Sequence, residues 1–186
     1  MATERTGKRL DPAQEAQIRK GVVERRALRD PERIRGVNRQ EFTLLPGLAM
    51  GVENPREPGV SMTIDEPESR GGNGAGAGPL AHFLAGAGAC LLTQYRKIAI
   101  AEGLDIRFTG STIRGDSRRD VGGGFEHIAQ EIHTEGTITP AQLAALAEEA
   151  EAFCYVHNTL RGAVKLTTVV HLNGVEAVRR VNEKTL

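Results

Sequence analysis

Residues 71–95 contain no Asp, Glu, Lys or Arg, the longest uncharged stretch in the chain. Its first third, GGNGAGAGP, is neither apolar nor helix-forming, so the stretch is not a membrane span. From Pro79 onward, Leu80, Phe83, Leu84, Ala87, Leu91 and Ile98 fall at helical spacing, and charges appear only at Arg96, Lys97 and Glu102. A helix this apolar must be covered on most of its circumference. In a chain of 186 residues, near the upper size that one hydrophobic core organises, it is the element around which everything else has to pack.

The flanking patterns supply the cover. Before the helix, residues 42–45, 48–52 and 60–64 read as short strands separated by turns at Pro46-Gly47 and around Pro55 to Gly59, a three-stranded meander. After it, alternation from Leu104 and again over residues 125–134 predicts a hairpin across RGDSRRDVGGG. Thr139, Pro140 and Gln142 form a capping signature for a second helix, with Leu143, Leu146, Ala147, Ala150, Phe153 and Cys154 on one face. A last strand carries Val164, Leu166, Val170 and Leu172. The order is βββαββαβ, an α+β fold with mostly antiparallel sheets. Asp11, Pro12 and Gln14 open a further helix running towards Leu28, with a narrow stripe of Ile18, Val22 and Val23. Residues 1–38, which are basic and contain no Cys or His, thus form a helical extension, and residues 39–186 the main domain. The extension is expected to pack outside the body and add stability without chemistry.

Charge excludes some functions. Lys plus Arg balance Asp plus Glu at 24 each, and there is no Trp, so a nucleic-acid surface is not expected. The first 35 residues are charged throughout, without the apolar run of a signal peptide, which predicts a cytoplasmic protein. No metal or other cofactor is implied, because HExxH is absent and His127 and His133 lie too far apart along one strand to share an ion. The loop at Gly72, Gly74 and Ala77 fits a loose GxGxxG/A, but no apolar strand precedes it, as a dinucleotide site requires. Glu148, Glu149 and Glu151 read as a solvated helix face.

The two cysteines stand apart. Cys90 and Cys154 each sit on the apolar stripe of a helix, so both are expected to point inward. That pattern fits inert packing as well as thiol chemistry, and chemistry would need a nearby cation to favour the thiolate. Arg70, in the loop before the first cysteine's helix, is the natural candidate.

The run DEPESRGGNGAGAGPLAHFLAGAGACLLTQ, followed some sixty residues later by ITPAQLAALAEEAEAFCYVHNTL, resembles the OsmC/Ohr family of hydroperoxide-reducing proteins. The resemblance spans residues 42–174. It implies an intertwined homodimer with active sites at the subunit interface, and a two-cysteine peroxidase that needs no bound cofactor. On this resemblance Cys90 is the peroxidatic thiol, Cys154 the resolving thiol, and Arg70 the arginine that holds the thiolate, with Arg39 and Arg56 as competitors. The substrate would be a small organic hydroperoxide and the reductant an external dithiol. The chain departs from the family where Leu80 replaces a common Glu after the helix-opening proline, and where Tyr155 follows the second cysteine in place of proline. The alternative reading is a non-catalytic module on the same fold, holding a small apolar ligand at the dimer interface.

Overall fold

The computed structural model describes residues 9–28, 38–57 and 59–183, so parts of the N-terminal extension and Pro58 of the expected turn lie outside the described residues. The chain begins with helix α1 (Pro12–Ala27), followed by strands β1 (Glu41–Leu44), β2 (Met50–Glu53) and β3 (Ser61–Ile64). Helix α2 (Pro79–Glu102) leads into β4 (Ile106–Ser117) and β5 (Phe125–Gly136). Helices α3 (Pro140–Phe153) and α4 (Tyr155–Leu160) precede β6 (Lys165–Leu172) and β7 (Val175–Asn182). The expected α+β class and element order are present, with two additions, α4 and β7.

Both predicted capping boxes form. Asp11 accepts from the Gln14 amide, Thr139 accepts from the Gln142 amide, and each glutamine side chain returns a bond to the cap backbone. The missed strand β7 follows Asn173 and Gly174, at φ 52° and 83°, the left-handed pair of a tight hairpin turn. An Asn-Gly dipeptide was the available signal. The second sheet runs β4-β5-β6-β7 and is antiparallel except for β5 against β6, which the α3–α4 crossover makes parallel.

The core gathers on α2. Leu91, Tyr95 and Ile98 pack against Leu143, Leu146, Ala147 and Ala150 of α3 and against Ile132 and Val170 of the sheet. On β5 the inward residues Ile128, Gln130, Ile132 and Thr134 are buried, while their neighbours face out. Gln130 and Thr134 are the polar ones, and Gln130 Nε2 donates to the Gly88 carbonyl at 3.1 Å, tying the sheet to α2.

The β1–β3 sheet behaves differently. Register places Phe42 opposite Val52 and Val52 opposite Met62, and likewise Leu44 opposite Met50 and Met50 opposite Ile64, so one face is wholly apolar. Much of that face is uncovered: Leu44 is 81% exposed and Phe42 59%. The sheet joins the body through the loop of residues 65–78 and a parallel bridge from Ile64 to Ala77. In that loop the buried Asp65 accepts from the Asn73 and Ala75 amides at 3.0 and 3.1 Å, and the Gly74 amide donates to the Glu66 carbonyl at 3.2 Å.

Gly72 is the tightest point of this fold-back, because a Cβ there would lie 1.8 Å from the Glu66 carbonyl oxygen. Gly72→Ala is therefore expected to destabilise the protein by about 1–3 kcal/mol through displaced backbone. Gly74→Ala has open space and carries only the cost of its left-handed φ, about 1–2 kcal/mol. Urea unfolding of both variants checks this, and a Gly72→Ala midpoint equal to wild type contradicts it.

Candidate functional site

The structure brings the two cysteines together. Cys90 is on α2 and half-buried, Cys154 is fully buried, both are free thiols, and their sulfurs are 3.4 Å apart with the Cys154 thiol donating. A disulfide needs the sulfurs at about 2.0 Å, so closure requires a shift of about 1.4 Å.

Cys154 does not continue the α3 face as its apolar spacing suggested. It sits at a break, φ −82° and ψ 111°, where α3 ends and α4 begins. No Gly or Pro marks the break in sequence. Side chains from elsewhere satisfy the carbonyls it frees: Asn158 Nδ2 donates to the Ala152 carbonyl at 2.8 Å, and the Arg25 guanidinium to the Phe153 carbonyl. The break also lets the His157 amide donate to the Cys154 sulfur at 3.4 Å, as an N-cap would receive it.

Burial pushes the Cys154 thiol up to about 12, with the bond from the His157 amide opposing it and proximity to Cys90 adding to it. At neutral pH this thiol keeps its proton. Beside it is a cavity of about 30 Å³, room for about one water, lined mainly by apolar side chains that include Ala87, Leu91, Ile113 and Ile128.

The structure does not bring Arg70 to this pair within one chain. Arg70 is 61% exposed on the 3-10 turn at Glu68–Arg70, with Glu66 3.6 Å away as its ion-pair partner. Arg39 is likewise engaged, with Glu41 at 2.9 Å. Arg25 of α1 instead contacts the residues that flank Cys154. Its guanidinium lies over the rings of Phe153 and Tyr155, at 4.5 and 4.6 Å from their centroids, on either side of Cys154 in sequence. Sequence proximity alone hid it, since 129 positions separate the two (154 − 25).

A second group was also missed. Glu151 and Glu149 are not a solvated face: Glu149 pairs with Arg26 at 2.6 Å, and Glu151 is buried, held by Arg180 at 2.7 Å. Asn182 also reaches Glu151 at 3.4 Å, and lies 3.1 Å from His157 Nε2. The reason is β7, which lays Arg180 and Asn182 over α3. His157, one turn beyond Cys154, is buried, and desolvation holds it below the ordinary histidine range despite the nearby Glu151. Among the described residues no cluster of His, Cys and carboxylates could hold a metal ion.

Two outcomes follow from the Cys154 environment. Its raised value means the protonated thiol contributes stability that is fully present below pH about 9 and is lost as pH rises towards about 12. In the reduced native protein, alkylation of Cys154 by iodoacetamide should lag Cys90 by at least about 100-fold at pH 8, as expected for a thiol that stays protonated. Peptide mapping after timed quenching measures both rates, and equal labelling contradicts the assignment.

Comparison with known proteins agrees with this architecture. The chain superimposes on an OsmC-like protein from Mycoplasma pneumoniae with a TM-score of 0.61 at 20% identity, over 75% of this chain and 99% of that one. An organic hydroperoxide resistance protein OsmC from Legionella pneumophila matches with a TM-score of 0.55 at 21% identity, over 73% and 98% of the two chains. One from Elizabethkingia anophelis gives a TM-score of 0.55 at 21% identity, over 75% and 100%. At these identities the likeness is one of fold. No curated protein matches the sequence. Among the described residues no helix is long and apolar enough to cross a membrane. The family model described as OsmC-like protein matches residues 71–169, which hold both cysteines and the helices that carry them, and the chain belongs to that family.

Proposed function

We propose that the protein is a thiol peroxidase that reduces organic hydroperoxides with Cys90 and Cys154. The observation that carries this reading is the 3.4 Å contact between two free sulfurs of unequal exposure. Packing alone gives buried cysteines, but it gives no reason for two of them, 64 positions apart, to meet sulfur to sulfur.

The asymmetry supports an order of events. Cys90, the more accessible sulfur, attacks the peroxide as a thiolate; its sulfur takes the distal oxygen together with its hydrogen, the O–O bond breaks, and the alkoxide leaves as the alcohol with a proton taken from solvent. Cys154 then loses its proton and attacks the Cys90 sulfenic acid, forming the S–S bond as the S–O bond breaks and water departs. The negative charge of Cys90, which helps hold the Cys154 proton, is gone once Cys90 is oxidised, so the second thiol becomes easier to ionise at the step that needs it. An external dithiol returns both sulfurs to thiols. Cys90 packs at the edge of the apolar core, a setting that suits an alkyl group better than bulk water.

The reading includes a homodimer. Much of the apolar face of the β1–β3 sheet and the start of α2, where Leu80 is 56% exposed and Phe83 also open, lies bare on one chain. A second copy is the occupant that the family resemblance supplies. Arg70 then serves as the thiolate-holding arginine from across that interface, since within its own chain it is directed to Glu66.

Intact mass spectrometry after one equivalent of cumene hydroperoxide tests the scheme. Wild type should lose about two hydrogens, Cys154→Ser should gain one oxygen at Cys90, and Cys90→Ser should stay unmodified. Unchanged wild-type mass would shift the reading to a non-catalytic module that holds a small apolar ligand. Sedimentation should find a dimer at micromolar concentration; a stable folded monomer contradicts the interface.

A further inference from the structure

Arg25 belongs to the N-terminal helix, outside residues 71–169, yet its side chain touches both cysteine-bearing elements. Nη1 donates to Gln94 Oε1 at 3.3 Å, and Gln94 lies one helical turn after Cys90 on α2. Nη2 donates to the Phe153 carbonyl, the last carbonyl before Cys154, and the guanidinium plane covers the rings of Phe153 and Tyr155. A guanidinium is suited to this position: its donors lie in a fixed fork that can hold two acceptors at once, while its face stacks on aromatic rings. A lysine offers a point charge and no such plane. The Phe153 carbonyl is one that the α3–α4 break deprives of a helical partner, so the conformation that presents the Cys154 sulfur depends in part on Arg25.

We propose that Arg25 is a positioning residue for the Cys90–Cys154 disulfide, a cross-brace between α2 and the break after α3 that keeps the second sulfur within reach of the first. Its place in turnover rests on the peroxidase reading, in the step where Cys154 condenses with the Cys90 sulfenic acid and water leaves. Its effect on the thiol pair does not. Order that holds the two reduced sulfurs in contact raises the effective concentration of one thiol at the other, which favours the disulfide at equilibrium with a small dithiol. The same brace speeds the condensation and leaves the first attack on peroxide untouched.

The test uses the full-length protein equilibrated in mixtures of reduced and oxidised dithiothreitol, with the disulfide fraction read by alkylation and mass. Arg25→Met, which keeps an unbranched stem, should weaken the disulfide about tenfold, a shift of about 30 mV towards easier reduction for this two-electron couple. Arg25→Lys, which retains the charge without the fork, should lie between Arg25→Met and wild type and serves in its place if Arg25→Met does not fold. Arg26→Met is the control: it removes the pairs that fix α1 to Glu102 and Glu149, so it should lower the thermal midpoint but leave the dithiothreitol equilibrium within about twofold. With cumene hydroperoxide, Arg25→Met should accumulate a sulfenic acid that dimedone traps, while the first-step rate stays within about twofold of wild type. An unchanged equilibrium in Arg25→Met and Arg25→Lys, or an equal loss in Arg26→Met, overturns the proposal. A wild type inert to peroxide would remove the peroxidase reading, and the dithiothreitol equilibrium would still decide the role of Arg25.

Discussion

Helix α2 is apolar over most of its surface for 24 residues, and covering it organises the molecule. Helices α1 and α3 and strand β4 pack directly on it, and its buried Leu91, Tyr95 and Ile98 form the middle of the core. Burying a side chain of this size contributes about 1.5–3 kcal/mol, so a helix with this many apolar positions draws its neighbours in before any finer interaction matters. The chain covers its second half and leaves the first half open. There the exposed Leu80 and Phe83 and the bare face of the β1–β3 sheet give one chain an unfinished surface.

The same helix holds Cys90 where its half-exposed and fully buried parts meet, and that position decides what each sulfur can do. A sulfur at the edge of the core can be reached by a small molecule. A sulfur inside it, as Cys154 is, keeps its proton at neutral pH, because burial pushes its thiol up to about 12. The break between α3 and α4 is what turns Cys154 towards Cys90, and it is upheld from two regions: from α4 by the Asn158 side chain and the His157 backbone amide, and from the N-terminal helix by the Arg25 side chain. A polar network of Glu151, Arg180, Asn182 and His157 lies directly under the break, and Glu151 is enclosed enough that its Oε1 has no hydrogen-bond partner. Placing charge there limits how the break can relax, because moving Glu151 would leave Arg180 unpaired.

Local chemistry was legible in the sequence. The capping boxes at Asp11 and Thr139 depend on residues three apart, and both form. The meander at residues 41–64 follows from turn residues and alternation, and the apolar spacing after Pro79 marks the central helix. What was not legible depends on distant partners. Glu151 looks solvated until β7 carries Arg180 over it, and β7 escaped because its valines are interleaved with Glu176, Arg179 and Arg180, although Asn173-Gly174 announced the turn. The break at Cys154 carries no Gly or Pro, and the Phe153 carbonyl it frees is satisfied by Arg25 from the distant α1. Arg25 could be found only in three dimensions, and Arg70, the nearest arginine before Cys90 in sequence, is tied to Glu66 instead of to the sulfurs of its own chain.

The central claim is that these two sulfurs carry out peroxide reduction. Stopped-flow measurement of thiol loss in the reduced protein, mixed in turn with cumene hydroperoxide and with hydrogen peroxide, tests it most directly. The account predicts loss of both thiols of each chain at a rate first order in peroxide, with the organic substrate at least about tenfold faster, because Cys90 packs at the edge of the apolar core. Persistence of both thiols in the presence of either peroxide would contradict it.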